Sequence, residues 1–172
     1  MLSKLYPDLD VSNDALPFMG YKEADFFGVP SRIFRISFSG ELAYEINVKS
    51  DHGMFMWEKM MDVGKEFGNQ PYGTEALSTL RIEMGHVAGP ELDGRTIPSD
   101  VSLNGLVSKK KDFIGKNSLG REAFNVESRQ KIVGLIPIDR KSSIPEGSHI
   151  VQDQNAKLPN PKLGHVSSSC WS

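Results

Sequence analysis

Few side chains in this sequence have a spacing that suggests chemistry. The histidines at 52, 86, 149 and 165 lie far apart in the chain, and none has a second ligand at metal-binding spacing. They read as structural or solvated, and no metal site is expected. Cys170 is the single cysteine, which excludes an intrachain disulfide and a cysteine cage; no base stands beside it in sequence to activate it. Arg81 and Glu83, in LRIEMG, suit a helix-end ion pair, with the alternative that Arg81 orders a ligand site or the loop after Gly85. Glu41 sits among turn residues and reads as solvated. The run Lys109-Lys110-Lys111 is short and lacks interleaved aromatics, so it reads as a solvated turn rather than a nucleic-acid site. The carboxylate that the pattern singles out is Glu45.

Glu45 lies in residues 31–48, SRIFRISFSGELAYEINV, the most regular stretch of the chain. Phe34, Ile36 and Phe38 alternate with Arg35 and Ser37; Tyr44, Ile46 and Val48 alternate with Glu45 and Asn47. Period-two alternation marks a half-buried strand. A hairpin that sets Phe38 opposite Tyr44 gathers the apolar residues on one face. It places Ser37 opposite Glu45 and Arg35 opposite Asn47 on the other. A slip of one residue would mix the faces. The plain reading of Glu45 is then a sheet-face carboxylate paired with Arg35; the functional one is an acceptor aimed at a ligand.

The neighbouring elements would position this hairpin. Residues 2–9 read as a weak helix ending near Pro7, and residues 17–21 and 22–27 as short strands. Ser50 or Asp51 would cap a helix running to Phe67 and closed by Gly68. Its stripe of Met56, Met60, Val63 and Phe67, widened by Trp57 and Met61, suits packing on the hairpin. Thr74 would cap a second helix, 75–84, with Leu77, Leu80 and Met84 in line. Residues 86–100, rich in Gly, Pro and Asp, predict an irregular loop, and long ordered loops are often functional. A short helix falls within 112–124. KIVGLIPI, residues 131–138, predicts a strand, with shorter ones over 148–151 and 163–169. The fold class is α+β: an antiparallel sheet covered by helices, followed by the first strands of a small β-barrel. The expected division is 1–128 and 129–172, the second part incomplete.

The 172 residues suffice for one domain or one and a part. The net charge of −2 gives no electrostatic reason to expect nucleic acid or an anionic membrane, and no apolar run is long enough to span a bilayer. The N-terminus lacks the apolar core of a secretion signal, so a cytoplasmic location is expected.

SFSGELAYEINV, YGTEALSTLRIEMGH, GPELDG, SKKKDFIGK and the later KIVGL…PEG…GHVSSSCWS resemble, in order and spacing, the folate-dependent aminomethyltransferases, the family of the glycine-cleavage T-protein. The resemblance runs over residues 16–172 and is strongest to the branch formed by the C-terminal region of heterotetrameric sarcosine oxidase α subunits. It implies a tetrahydrofolate site in which Glu45 hydrogen-bonds the pterin ring, with Arg81, Ser37 and Asn47 as possible supporting residues. It implies too that the catalytic aspartate, and any FAD, FMN or NAD site, lies outside these residues. Phe38 stands where T-proteins often have tyrosine, and Leu77 where they carry a folate-contacting arginine; the loss of that arginine favours the sarcosine oxidase branch.

The function implied is the trapping of a one-carbon unit from sarcosine as 5,10-methylenetetrahydrofolate. The alternatives are a glycine-cleavage-type aminomethyltransferase and a non-enzymatic folate-binding or interaction module. Expected partners are the other sarcosine oxidase subunits or an N-terminal part, with self-association also plausible for exposed apolar faces. The basic run could then attract an anionic polyglutamyl folate tail or pack on a partner subunit. Alone, the chain is expected to lack turnover.

Overall fold

The middle strand of the first sheet begins earlier than the alternation around Phe38 suggests. In the computed structural model, which describes residues 1–171, the buried positions of this strand are Val29, Ser31 and Ile33. The chain forms two units, Met1–Met84 and a second from Gly85 onward.

In the first unit, β1 (Tyr21–Phe26), β2 (Val29–Phe34) and β3 (Glu45–Asn47) form an antiparallel sheet in that order. Phe27 and Gly28 join β1 to β2 with φ of 51° and 87°. Two successive positive φ values give the tight turn whose twist matches that of the strands. The Gly28 amide donates to Asp25 Oδ1 at 2.6 Å, which closes the turn. The register then sets Phe26, Ala24 and Lys22 against Val29, Ser31 and Ile33 on the inner face.

The register of β2 with β3 corrects the expectation. Phe34 faces Glu45, Ile33 faces Ile46 and Arg32 faces Asn47; Phe38 does not face Tyr44, nor does Phe34 face Val48. The partner of Phe34 has moved by three positions, an odd number, so Ile33 rather than Phe34 turns inward with Ile46. The physical reason is the tight β1–β2 turn together with burial of Phe26, Val29 and Ile33, which sets the inward face of β2 that β3 must match. Residues 35–44 then leave the ladder as a loop. Arg35 keeps only an irregular extension, its amide donating to the Gly20 carbonyl at 2.9 Å and its carbonyl accepting from Met19 at 2.9 Å.

The core lies on the inner face of this sheet. Leu5, Tyr6, Leu16, Phe26, Val29, Ile33 and Met56 are buried together. Burial of a side chain such as Phe26 or Ile33 contributes about 2 kcal/mol each. The short helix α1 (Leu2–Leu5) brings in Leu5, and Tyr6 follows it. The Tyr6 hydroxyl donates to Ser31 Oγ at 3.0 Å, and Ser31 Oγ donates to the Ala24 carbonyl at 2.8 Å. This relay satisfies both hydroxyls inside the core. Burial raises the Tyr6 pKa above its ordinary value.

Helix α2 (Gly53–Gly64) lays Met56, Met60 and Val63 on the core, as the stripe predicts. Its flank differs: Phe55 packs edge-on against Phe26, ring centroids 6.0 Å apart, while Trp57 and Phe67 stand half-exposed. One flank of a helical stripe suffices to close this core. Residues Ser50–His52 form a 3-10 turn without a side-chain cap bond, so neither Ser50 nor Asp51 caps the helix. The far end follows the sequence, a 3-10 turn over Lys65–Phe67 and Gly68 at φ 64°. Helix α3 (Thr74–Glu83) begins at Thr74 itself, with Gly73 before it. Leu77 and Leu80 on it are half-buried and Arg81 is buried.

The second unit is mostly irregular. It holds a helical turn, α4 (Lys116–Leu119), and a two-stranded antiparallel sheet of β4 (His149–Val151) and β5 (Lys162–His165). The expected strand over 131–138 is not formed. Its amides find no neighbouring strand among the described residues, and β-branched residues hold a strand only against a partner. Ile136 and Ile138 are 79% and 104% exposed. Ser172, the end of the expected 129–172 part, lies outside the described residues.

Order in this unit comes from a polar knot. Asp100, itself buried, accepts from Arg129 Nε at 2.9 Å and Nη2, from the Ile97 amide at 3.1 Å and from Lys131 Nζ at 3.5 Å. The guanidinium of Arg129 also lies over the Phe124 ring at 5.4 Å. The Arg129 hydrogen bonds, helped by the Ile97 amide, hold the Asp100 carboxyl at about 2 against the opposing effect of burial.

Candidate functional site

Once Val29, Ser31 and Ile33 turn inward, the alternate residues form an open outer face. Across the three strands, one row reads Tyr21, Phe34, Glu45, and the next reads Glu23, Arg32, Asn47. Tyr21 and Phe34 stack with ring centroids 5.5 Å apart and planes at 25°. Tyr21 is 61% exposed and Phe34 half-buried.

Glu45 is exposed at the end of the first row. Asn47 Nδ2 donates to its Oε1 at 3.0 Å and restrains the carboxylate. Among the described residues no other donor is recorded at Glu45. The expected counter-charge is elsewhere: Arg35 donates to Asn13 Oδ1 and to the Leu16 carbonyl at 3.2 Å. Arg32, the other arginine of the sheet, donates through Nε to Glu23 Oε1 at 3.1 Å. The carboxylate is thus oriented but not neutralised by either arginine.

The sequence-based candidates are partly gathered. Glu45 and Asn47 share a face and a hydrogen bond. Ser37 belongs to the loop 35–44 rather than to the sheet and does not face Glu45. Its Oγ is buried with no hydrogen-bond partner, as is Arg35 Nε. Tyr44 points to the opposite side from Glu45, as the alternation requires. It packs at the core edge, and its hydroxyl donates to the Val11 carbonyl at 3.3 Å. Arg81 is buried on α3, and Glu41 is exposed in the loop. Sequence reasoning missed Tyr21 and Phe34 as a pair. Reading the Phe27-Gly28 turn as a tight hairpin would have found them, because it fixes which β2 residues face outward.

The loop that carries Ser37 is held at Gly40. Its φ is 83°, and a Cβ there would lie 2.4 Å from Met84 Cε. Only glycine allows both this backbone and this approach without a shift.

In the second unit, β-pairing brings His149 opposite His165, which sequence separation had hidden. No third ligand joins them: among the described residues no group of three His, Cys, Asp or Glu could hold a metal ion. A cavity of about 580 Å³ opens among Leu92, Ile97, Val101, Leu106, Phe113 and Leu119. Among the described residues no helix is long and apolar enough to cross a membrane.

Residues 1–111 match the family described as the GCVT N-terminal domain. The whole chain aligns at 41% identity with the sarcosine oxidase subunit alpha of Rhizobium meliloti, and 98% of it at 42% with that of a Corynebacterium species. It is 32% identical, over its full length, to an aminomethyltransferase of Chloroherpeton thalassium. The chain spans 18% of each of those alpha subunits and 45% of that aminomethyltransferase. With more than half of its length inside the matched domain, the chain belongs to the GCVT N-terminal domain family.

Proposed function

We propose that this chain is the tetrahydrofolate-binding part of a sarcosine-oxidising protein, where a one-carbon unit from sarcosine is captured as 5,10-methylenetetrahydrofolate. Identity of 41–42% to sarcosine oxidase alpha subunits, against 32% to the aminomethyltransferase, favours this reading over a glycine-cleavage-type transferase. The observation that carries the binding claim is Glu45, an exposed carboxylate restrained by Asn47 and neutralised by neither arginine of its sheet. A carboxylate accepts two parallel N–H bonds, and a pterin offers adjacent N–H donors. The residues present fit such a group in one respect: Glu45, held by Asn47, supplies an acceptor for its donor edge. When bound, tetrahydrofolate supplies the amines that take up a carbon at the oxidation level of formaldehyde. The chain's own contribution is to bind and orient: Glu45 holds the ring edge, and Asn47 fixes the carboxylate that does so. The proposal includes a boundary near residue 128 between the folate part and the start of a β-barrel. It also includes contact with the other subunits of a sarcosine oxidase.

Calorimetric titration of the 172-residue chain with tetrahydrofolate tests this. Saturable binding is expected, weakened in Glu45→Gln by about tenfold or more, since charge-assisted bonds of this kind are worth roughly 1.5–3 kcal/mol. Absence of binding, or equal binding by Glu45→Gln, overturns it. Binding is expected without turnover of sarcosine by the chain alone.

A further inference from the structure

We infer that His149 and His165 form a two-imidazole clamp for a divalent transition ion, Cu²⁺ before Ni²⁺ or Zn²⁺, on the exposed face of the β4–β5 hairpin. The ion ties the two strands together through one side chain from each.

Three observations carry it. The first is the register. His149 stands directly opposite His165, and residues directly opposite project to the same face. The irregularity of this ladder falls between Ile150 and Val151, beyond the histidine pair. The second is the kind of pair. The Val166 amide donates to the Ser148 carbonyl at 2.9 Å, and the Gly147 amide donates to the Val166 carbonyl at 2.8 Å. With Gly147 at φ 78°, this is a bulge in which Gly147 and Ser148 together oppose Val166. Opposed residues in an antiparallel ladder alternate between bonded and non-bonded pairs, so His149 and His165, one step on, form a non-bonded pair. Such pairs bring the Cα atoms to about 4.5 Å and the side chains to their closest. The third is exposure. His149 and His165 are both exposed. Ile150 and Gly164, the next pair, are half-buried on the other face. The hairpin thus turns its apolar side to the rest of the second unit and its imidazoles to solvent.

The chemistry of two imidazoles narrows the ligand. Their nitrogens bind such an ion at about 2.0–2.1 Å, which sets them about 3.3 Å apart around a tetrahedral centre. Rings hung from Cβ atoms roughly 5 Å apart reach that separation by rotation of the side chains alone. Among the described residues no third His, Cys, Asp or Glu completes the set, so water fills the remaining positions. With no geometry imposed by further ligands, preference follows intrinsic affinity, which is greatest for Cu²⁺. Mg²⁺ and Ca²⁺ take oxygen ligands and are not held here. A hairpin of two strands is marginal by itself, and an ion bound by both strands favours their paired state.

The experiment is a calorimetric titration of the 172-residue chain, stripped of metal with chelator, with CuCl₂, ZnCl₂ and MgCl₂ at neutral pH. Saturable binding of Cu²⁺ is expected, with Zn²⁺ weaker and Mg²⁺ not bound. His149→Gln and His165→Gln are each expected to weaken Cu²⁺ by at least about tenfold, since losing even a group that supports a metal-bound histidine costs that much. His52→Gln is expected to bind as wild type. Electron paramagnetic resonance of the copper form is expected to show coupling to two imidazole nitrogens in wild type and to one in either variant. Saturating Zn²⁺ should raise the melting midpoint of wild type and leave that of His165→Gln unchanged. Both side chains are exposed, so the variants should melt as wild type without metal; if one does not, the copper spectrum and affinity of the other decide. No Cu²⁺ binding by wild type, equal affinity in wild type and both variants, or loss in only one of the two variants overturns the clamp.

Discussion

Replacing Gly40 by alanine tests how the loop beside Glu45 is held. Two effects add. At φ 83° an L side chain is strained, at a cost of about 1 kcal/mol. The new Cβ would also stand 2.4 Å from Met84 Cε, 2.5 Å from Cγ and 2.8 Å from Sδ, far inside van der Waals contact. Met84 is 53% exposed and can swing into solvent. The clash therefore costs the contact that Met84 loses, about 1 kcal/mol of apolar burial, rather than an overpacked core. The expected total is about 2 kcal/mol. Urea denaturation of wild type, Gly40→Ala, Met84→Ala and the double variant separates the two parts. In the Met84→Ala background only the backbone cost remains, so Gly40→Ala should cost about half as much, with a coupling of about 1 kcal/mol between the sites. An equal cost in both backgrounds would refute the close approach. A neutral Gly40→Ala in the wild-type background would refute the positive φ as well.

Asp100→Asn should destabilise the second unit near neutral pH and not in strong acid. The folded carboxyl sits at about 2 against an ordinary 3.8, chiefly through Arg129. The stabilisation is thus present above about pH 4 and lost as pH falls through about 2. The full shift corresponds to roughly 2 kcal/mol, and solvent at the rim, where the Lys131 side chain is half-exposed, reduces the expectation to about 1 kcal/mol. Denaturation at pH 7 and pH 2 compares the two proteins, and a gap that is the same at both values contradicts the ion pair as its origin. Tyr6→Phe removes the donor to Ser31 Oγ and should cost about 1 kcal/mol by urea denaturation; a change below 0.3 kcal/mol, on the order of the usual error, would mean that the relay adds nothing. Because burial raises the Tyr6 pKa, its contribution is fully present below the ordinary value of 10.0 and is lost as pH rises through the folded value. Tyr6→Phe should therefore flatten the alkaline side of the stability profile.

The sequence made the helices easier to place than the strands. The Met56, Met60, Val63 stripe and the Gly68 stop hold because helical period and a left-handed terminator are local properties. The β2–β3 register is not local. Residues 34–38 alternate as well as residues 29–33 do, and the choice is made by the Phe27-Gly28 turn and by burial of Ile33 against helices elsewhere in the chain. Likewise, the 131–138 stretch has strand-forming residues, but a strand also needs a neighbour, which propensity cannot supply. Glu45 was legible as a carboxylate on a polar face. Its freedom from Arg35 was not, since Arg35 is taken by Asn13 and Leu16, far away in sequence.

The two connections of the first sheet differ in how they tolerate change of length. Between β1 and β2 only Phe27 and Gly28 intervene, so an added residue there would reverse the faces of everything upstream of it. Between β2 and β3 the loop 35–44 leaves the ladder, and the side on which Glu45 stands is decided by Ile46 closing over Ile33. A residue added near Glu41 and Leu42 should therefore leave the carboxylate on the same face. The tight turn is the part of the sheet where length alone decides which residues face the core.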